Sequence, residues 1–472
     1  MKTFRFASLC LVAAVSFHLV TSCTSDRSPF DMSMSTVKNS ATIQLKFAVA
    51  DTRAGQLSTA EENEIKKVTV HVFDENQKLE STKNVNVTSG ANTVNLEVSH
   101  GLKTIYVITS KSNVNPGIGT SLTNYENSVF NSSLANLKTA DGFVMVGKSL
   151  EQQVMINASN DELPPSNIFD IELVRLVAKA QVKSSDIDGS SFGINFGAAS
   201  FKAFQTSDRM RVVHNGSDIF DTYVDGNNNG TYDYYSLSEG ISYQNAVTSD
   251  FTAAGCAYMS ENIVSIPKSG NTTFLSVRYA TSPVKYYTFS ESDSAPKTTQ
   301  ETPAPSTTYY AVGIQDKTNG VVDYALDSKT KHIVAFKNQD DAERYMNSLN
   351  IGTASAITVS QSERPLRAPG VDAEASSAPQ FEVVKFDGGY AYYRVNIAHE
   401  DTSGDAVLKK IKVMRNKFYK VNINSVKSLG FSSEALLRPA NPEAVLDAEG
   451  HSWITASISV ADWDEIIQNV DL

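Results

Sequence analysis

The residues of this chain that could do chemistry fall in three short stretches. Asp225, Asn227, Asn229 and Asp233, with Gly230 between them, reproduce the first nine positions of a calcium-binding loop, D-x-N-x-N-G-x-x-D. Oxygen-bearing side chains at alternate positions, with glycine sixth, suit a hard cation wrapped by a tight turn. Position twelve is Ser236 instead of glutamate and no helical pattern flanks the loop, so a plain polar turn is the competing reading. Calcium is the one cofactor the sequence raises. The second stretch is Val20-Thr21-Ser22-Cys23, which follows a charged start at Lys2 and Arg5 and an apolar run over 7–20. A small residue before a cysteine at the end of such a run is a lipobox: the leader is cut before Cys23 and the thiol takes a lipid. An ordinary secretory signal with an incidental cysteine is the alternative. The third is Asp51-Thr52-Arg53-Ala54-Gly55-Gln56, small, polar and flexible around one arginine. A trypsin-like protease would cut such a segment between Arg53 and Ala54.

Catalytic constellations are missing. The seven histidines form no metal spacing, and no HExxH, G-x-S-x-G or P-loop occurs. Acidic pairs are so frequent in this chain that they carry no weight. The expectation is a protein that is not an enzyme. Of three cysteines, Cys10 leaves with the leader and Cys23 is lipidated, so Cys256 stands alone, without disulfide or cysteine metal site. It is expected to be a small buried hydrophobe. Loss of Lys2 and Arg5 with the leader takes the formal charge from −11 to −13. That acidity argues against nucleic acid or an anionic membrane surface as partner. After the leader no run approaches the ~20 apolar residues of a membrane span.

Strand patterns dominate what remains. Alternating or β-branched runs cover 42–49, 67–73, 93–98, 103–108, 171–182, 200–204, 272–279, 309–314, 390–397, 417–426 and 454–460. The clearest helix is 340–349, with Asp340, Asp341 and Glu343 in its first turn. Strand and helix do not alternate, so a doubly wound α/β fold is excluded and an all-β fold of sandwiches is expected. A faint internal echo places the division: QLKFAVA followed by VTVHVFDEN returns as LVAKAQVK followed by ASFKAFQTS. Two β-sandwiches in tandem would then meet near Arg175. Two stretches rich in Ser, Thr and Pro, 294–308 and 360–379, read as exposed loops of the second sandwich.

The two ends of the chain carry the same pattern. Ile43, Leu45, Phe47 and Val49 alternate with polar or small residues, and so do Ile454, Ala456, Ile458 and Val460. Each offers four apolar side chains to one face at period two. Cutting at Arg53 would detach the first strand and open an apolar groove with unpaired backbone on both sides. The tail of another copy, free of its own body, could fill it by strand addition. That both are ordinary strands of their own domains is the alternative.

With these residues in hand, the chain resembles the fimbrillins of Bacteroidales (type V pilus subunits), in particular the minor fimbrillins that form the shaft of short fimbriae. The resemblance rests on the lipobox at Cys23, Thr52-Arg53-Ala54-Gly55, KKVTVHVFDEN at 66–76, LVRLVAKAQVKSS at 173–185 and GNTTFLSVRYA at 270–280. Its most specific piece is the Arg-Asn-x-x-Tyr-x-Val-x-Ile-x-x-Val-x-x-Leu-Gly run from Arg415 to Gly430, with ISVADWDEIIQNVDL closing the chain. The resemblance implies two tandem transthyretin-like β-sandwich domains after a lipoprotein leader. Its implied divisions are 1–22 signal peptide, 23–53 lipidated propeptide with a displaced strand, 54–175 and 176–453 the two domains, and 454–472 donor strands. It further implies export as a palmitate-bearing outer-membrane lipoprotein and cleavage at Arg53–Ala54 by an arginine-specific surface protease. Polymerisation by donor-strand exchange into a cell-surface fimbrium would follow, and with it a role in adhesion, biofilm and virulence. Ile43 to Val49 would be the displaced strand; the donor would lie in 454–472, with Trp463 and a second strand over 466–472. Asp462, Asp464 and Glu465 around Trp463 depart from the family pattern, which leaves the donor register open. The implied partners are further copies of itself, fimbrial tip and anchor subunits, the protease, and host or bacterial surface receptors. Two other readings compete: an accessory tip or anchor subunit, and a monomeric surface lipoprotein that binds glycan or protein. The last needs a concave aromatic site, and Tyr232, Tyr234, Tyr235, Tyr286 and Tyr287 are scattered.

Overall fold

The protein is described by a computed structural model over residues 40–49, 58–88, 92–110, 116–131, 134–149, 154–157, 163–206, 209–213, 242–264, 267–268, 270–316, 321–351, 357–358, 381–399, 411–437 and 454–462. Strands dominate these segments, as the β-branched alternation requires. In the first half they hydrogen-bond in the order Leu79–Asn86, Lys67–Phe73, Gly101–Thr109, Met145–Lys148, Ile168–Arg175, Ser40–Val49, Thr93–Ser99. Ile168–Arg175 joins the two layers: its first six residues pair with Ser40–Val49 and its last two with Met145 and Val146. Between the layers lies one apolar core, with Ile43, Leu45, Val68, Val70, Ile105 and Leu173 all within it. Gly147 permits the crossing of the layers, because a Cβ there would meet Ile171 Cγ2 at 2.5 Å and Glu172 O at 2.6 Å.

The second half begins after a single residue, Leu176. Val177–Ser184 pairs antiparallel with Ala257–Ser260 and parallel with Lys417–Val426. Ile194–Phe204, Phe274–Pro283 and Tyr390–Asn396 form a second sheet, and Tyr309–Asp316 with Glu382–Phe386 belongs to a third. A second core, including Val182, Phe201, Val277, Tyr393 and Val421, joins them. The helix Gln339–Asn350 covers a smaller apolar cluster through Ala342 and Tyr345, and carries Asp340 and Asp341 in its first turn as expected.

The internal echo has a structural counterpart. Ser40–Val49 lies between an antiparallel partner, Thr93–Ser99, and a parallel one, the last strand of its half. Val177–Ser184 lies likewise between Ala257–Ser260 and the parallel Lys417–Val426. The Leu429-Gly430 pair of the long motif also has a packing reason. A Cβ on Gly430 would sit 2.4 Å from Tyr392 O and 2.8 Å from the Tyr393 ring. Gly430 N donates to Tyr393 Oη at 2.9 Å, and Tyr324 Oη donates to Gly430 O at 2.8 Å. Tyr286 and Tyr287 are buried in separate cores and form no aromatic site together.

Candidate functional site

The leader strand Ser40–Val49 occupies an interior position in its layer. Ala41, Ile43, Leu45, Phe47 and Val49 are buried, while Lys46 and Ala48 on the other face are exposed. Both backbone edges are engaged. Gln44 to Val49 run parallel to Ile168 to Leu173, and Ser40 to Lys46 run antiparallel to Ser99 to Thr93. Asn167 Nδ2 donates to Thr42 O at 3.1 Å, and Phe47 N to Asn92 O at 2.7 Å, which fixes the register at both ends. The four larger side chains at ~1.5–3 kcal/mol each amount to roughly 6–12 kcal/mol of burial, before ordering costs. Backbone hydrogen bonds on two edges add about 0.5–1.5 kcal/mol apiece. Removal of this strand would leave a groove lined by the first core, with donors and acceptors unpaired on both walls.

Cys23, Arg53, Ala54, Trp463 and the loop bearing Asp225, Asn227, Asn229 and Asp233 lie outside the described residues. Among the described residues no group of His, Cys, Asp and Glu side chains could hold a metal ion.

The tail strand differs from its expected placement. Instead of standing free, Ile454–Asp462 pairs antiparallel with Lys417–Val426 of its own chain, from Val426↔Ile454 to Lys417↔Asp462. In that register Ile458 stands opposite Val421, Ala456 opposite Ile423 and Val460 opposite Tyr419. The physical reason is an available edge. Lys417–Val426 is bonded on one side by Val177–Ser184, and an alternating strand on the same chain completes the other.

Between the leader and tail strands lies a buried polar cluster that sequence reasoning missed. The one-turn helix Ala60–Asn63 starts at Thr59, whose N–H donates to Glu62 Oε2 at 2.7 Å. Glu62 is fully buried and accepts from Lys179 Nζ at 2.9 and 3.0 Å and from Tyr258 Oη at 2.7 Å. Arg175 is 1 % exposed. Its Nε donates to Glu62 O at 3.0 Å, its Nη1 to Asn416 Oδ1 at 3.0 Å, and its Nη2 to Asn63 Oδ1. Burial pulls the Lys179 ammonium below its ordinary range, against the opposing pull of the Glu62 carboxylate. The available signal was Thr59-Ala-Glu-Glu62, a capping-box spacing ahead of an apolar run. Its long-range partners have no such local signature.

Cys256, beside this cluster, is buried as expected. Burial pushes its thiol up to about 12, against the Lys179 ammonium, which pulls it down. At pH 8 the thiol stays protonated, so iodoacetamide should alkylate the native protein at least about a hundredfold more slowly than the unfolded chain. A native rate within tenfold of the unfolded one would show that the thiol is open to solvent.

Comparison with known proteins bears on both ends of the chain. Residues 41–180 match the family described as major fimbrial subunit protein (FimA), and residues 384–469 match the family described as major fimbrial subunit protein type IV, fimbrillin, C-terminal. Both families are described as fimbrial subunits, and over these residues the mostly-β chain is similar to them. The resemblance to fimbrillins read from the sequence is thereby borne out. Among solved structures, the chain is similar to a fimbrilin from Porphyromonas gingivalis W83, at 13 % identity and a TM-score of 0.45, covering 92 % of this chain and all of that one. It is also similar to the tip fimbrial protein Mfa3 from Porphyromonas gingivalis with a C-terminal truncation, at 13 % identity and a TM-score of 0.39, covering 90 % of this chain and all of that one. No curated protein matches the chain.

Proposed function

We propose that this chain is the structural shaft subunit of a fimbrium, polymerised by donor-strand exchange, and that it performs no catalysis. The observation that supports this most directly is the leader strand. It is bonded on both edges, it fills the first core with Ile43, Leu45, Phe47 and Val49, and it ends four residues before Arg53. In this reading Cys23 carries the lipid that takes the precursor to the outer membrane. An arginine-specific surface protease cuts Arg53–Ala54, the leader departs, and the tail of the next copy enters the groove with Ile454, Ala456, Ile458 and Val460. Tip and anchor subunits would then terminate the fibre, whose surface meets host or bacterial receptors.

The test is size-exclusion chromatography of the soluble chain before and after mild trypsin. The intact chain should elute as a monomer, and the trypsin-treated one should shift to polymers over hours. A cleaved chain that stays monomeric at high concentration would favour a tip or anchor subunit, or a monomeric binding protein, over the shaft.

A further inference from the structure

The cluster around Arg175 lies where the leader and tail strands converge. The last register position of the leader is Val49↔Leu173, two residues before Arg175. The last of the tail is Lys417↔Asp462, one residue after Asn416, whose side chain Arg175 holds. Asn416 N donates to Val177 O at 2.8 Å, and its φ of +56° is a left-handed conformation that asparagine tolerates. Phe418, opposite Ala461 of the tail, has its ring 5.0 Å from Lys179 Nζ. Arg175 thus touches the helix that follows the leader, belongs to the strand that pairs with the leader, and binds the turn that starts the tail's partner strand.

We propose that this cluster couples the two ends: the seated leader holds Arg175 on Asn416 and so keeps the tail strand on its own domain, and departure of the leader frees the tail. The pairing pattern is the reason. Ile168 to Leu173 pair with the leader, and Val174 and Arg175 with Val146 and Met145. When the leader leaves, the run ahead of Arg175 loses that partner, and the guanidinium must hold its place from the end of a frayed strand. Arg415 stays fixed, because Glu261 and the carbonyls of Arg211 and Val212 grip it. Loosening therefore begins at Asn416 and runs into Lys417–Val426, the strand that bears the tail. A cleft of about 640 Å³, lined in part by Val174, Leu176, Asn416 and Lys417, gives that turn room to shift. One hydrogen bond to a charged group corresponds to roughly a tenfold to hundredfold change in an opening equilibrium.

The coupling rests on the proposed reading only in taking the leader as removable; it needs neither protease nor polymer. Hydrogen exchange of the Ile454–Asp462 amides tests it, in the full chain and in a chain begun at Ala54. Exchange should be at least about tenfold faster in the shortened chain and should slow again when a peptide of residues 40–49 is added. In Asn416→Ala the tail should exchange fast with the leader present, and in the shortened Asn416→Ala chain the peptide should change nothing. If the chain begun at Ala54 does not fold, the reverse arm decides. Deleting 454–472 from the full chain must then speed exchange of the 40–49 amides by a similar factor, because coupling between two sites is reciprocal. Tail amides indifferent to the leader, or leader amides indifferent to the tail, would overturn the coupling. Fibre formation by the same chains, scored separately, reports on the polymerisation reading.

Discussion

A chain carrying Arg53→Ala is expected to remain monomeric under protease treatment that converts the unmodified chain to fibres. While the leader is covalently attached, it competes for its own groove at an effective concentration of about millimolar or higher. No second copy at micromolar concentration matches that. Burial of Ile43, Leu45, Phe47 and Val49 contributes roughly 6–12 kcal/mol before ordering costs. Even half the lower figure would hold the groove shut in all but about one molecule in a hundred. Cutting the connection changes the competition, because a released strand is diluted and an incoming tail is not. The measurement is electron microscopy or size-exclusion after digestion, with Arg53→Lys as control. Trypsin should restore fibres of the lysine variant, and an arginine-specific protease should not. Fibres formed by Arg53→Ala at the unmodified rate would show that cleavage at this bond does not govern assembly.

The leader strand was legible because its information is local. Period-two alternation from Ile43 to Val49 follows directly from pleated geometry, and the structure buries that face as the pattern requires. Lys67–Phe73 and Lys417–Val426 were legible to the residue for the same reason. The run 171–182 was harder, because apolar character continues through Leu176 while the chain passes from one core to the next. Leu79–Asn86 was missed: LESTKNVN is a polar strand at the end of its layer, where propensity is weak and pairing with Lys67–Phe73 decides. Least legible was the Arg175 cluster. Glu62, Arg175, Lys179 and Asn416 are charged or polar residues that a sequence reading assigns to the surface. Only the folded topology brings Arg175 and Asn416 within hydrogen-bond reach across 241 positions. The tail was half legible. Its alternation marked it as a strand, but nothing in the pattern said that the edge of Lys417–Val426 would take it first.

The variant Ile458→Asp is expected to fold, to accept the tail of an unmodified copy, and to fail as a donor. The reasoning starts from where the tail is held. In its own chain, Ile454–Asp462 is paired to Lys417–Val426, a strand that keeps Val177–Ser184 on its other edge and Tyr419, Val421 and Ile423 in the second core. Losing that strand removes the pairing on one edge, while Val177–Ser184 still holds the other. Deleting 454–472 should therefore lower the thermal midpoint while leaving the chain folded. The groove vacated by the leader admits a strand only with its apolar face in the first core. A carboxylate forced in there without a partner costs roughly 4 kcal/mol or more, which weakens the joint about a thousandfold. Since the variant's own groove is untouched, it can still receive a tail, and mixed into an unmodified reaction it should stop growth at one end. Mean fibre length should then fall as the variant fraction rises, at a constant number of fibres. Fibres that incorporate the variant internally at its input ratio would show that Ile458 does not enter the groove. An unfolded variant would show instead that the tail strand is part of its own domain, and the donor would then have to be sought beyond Asp462.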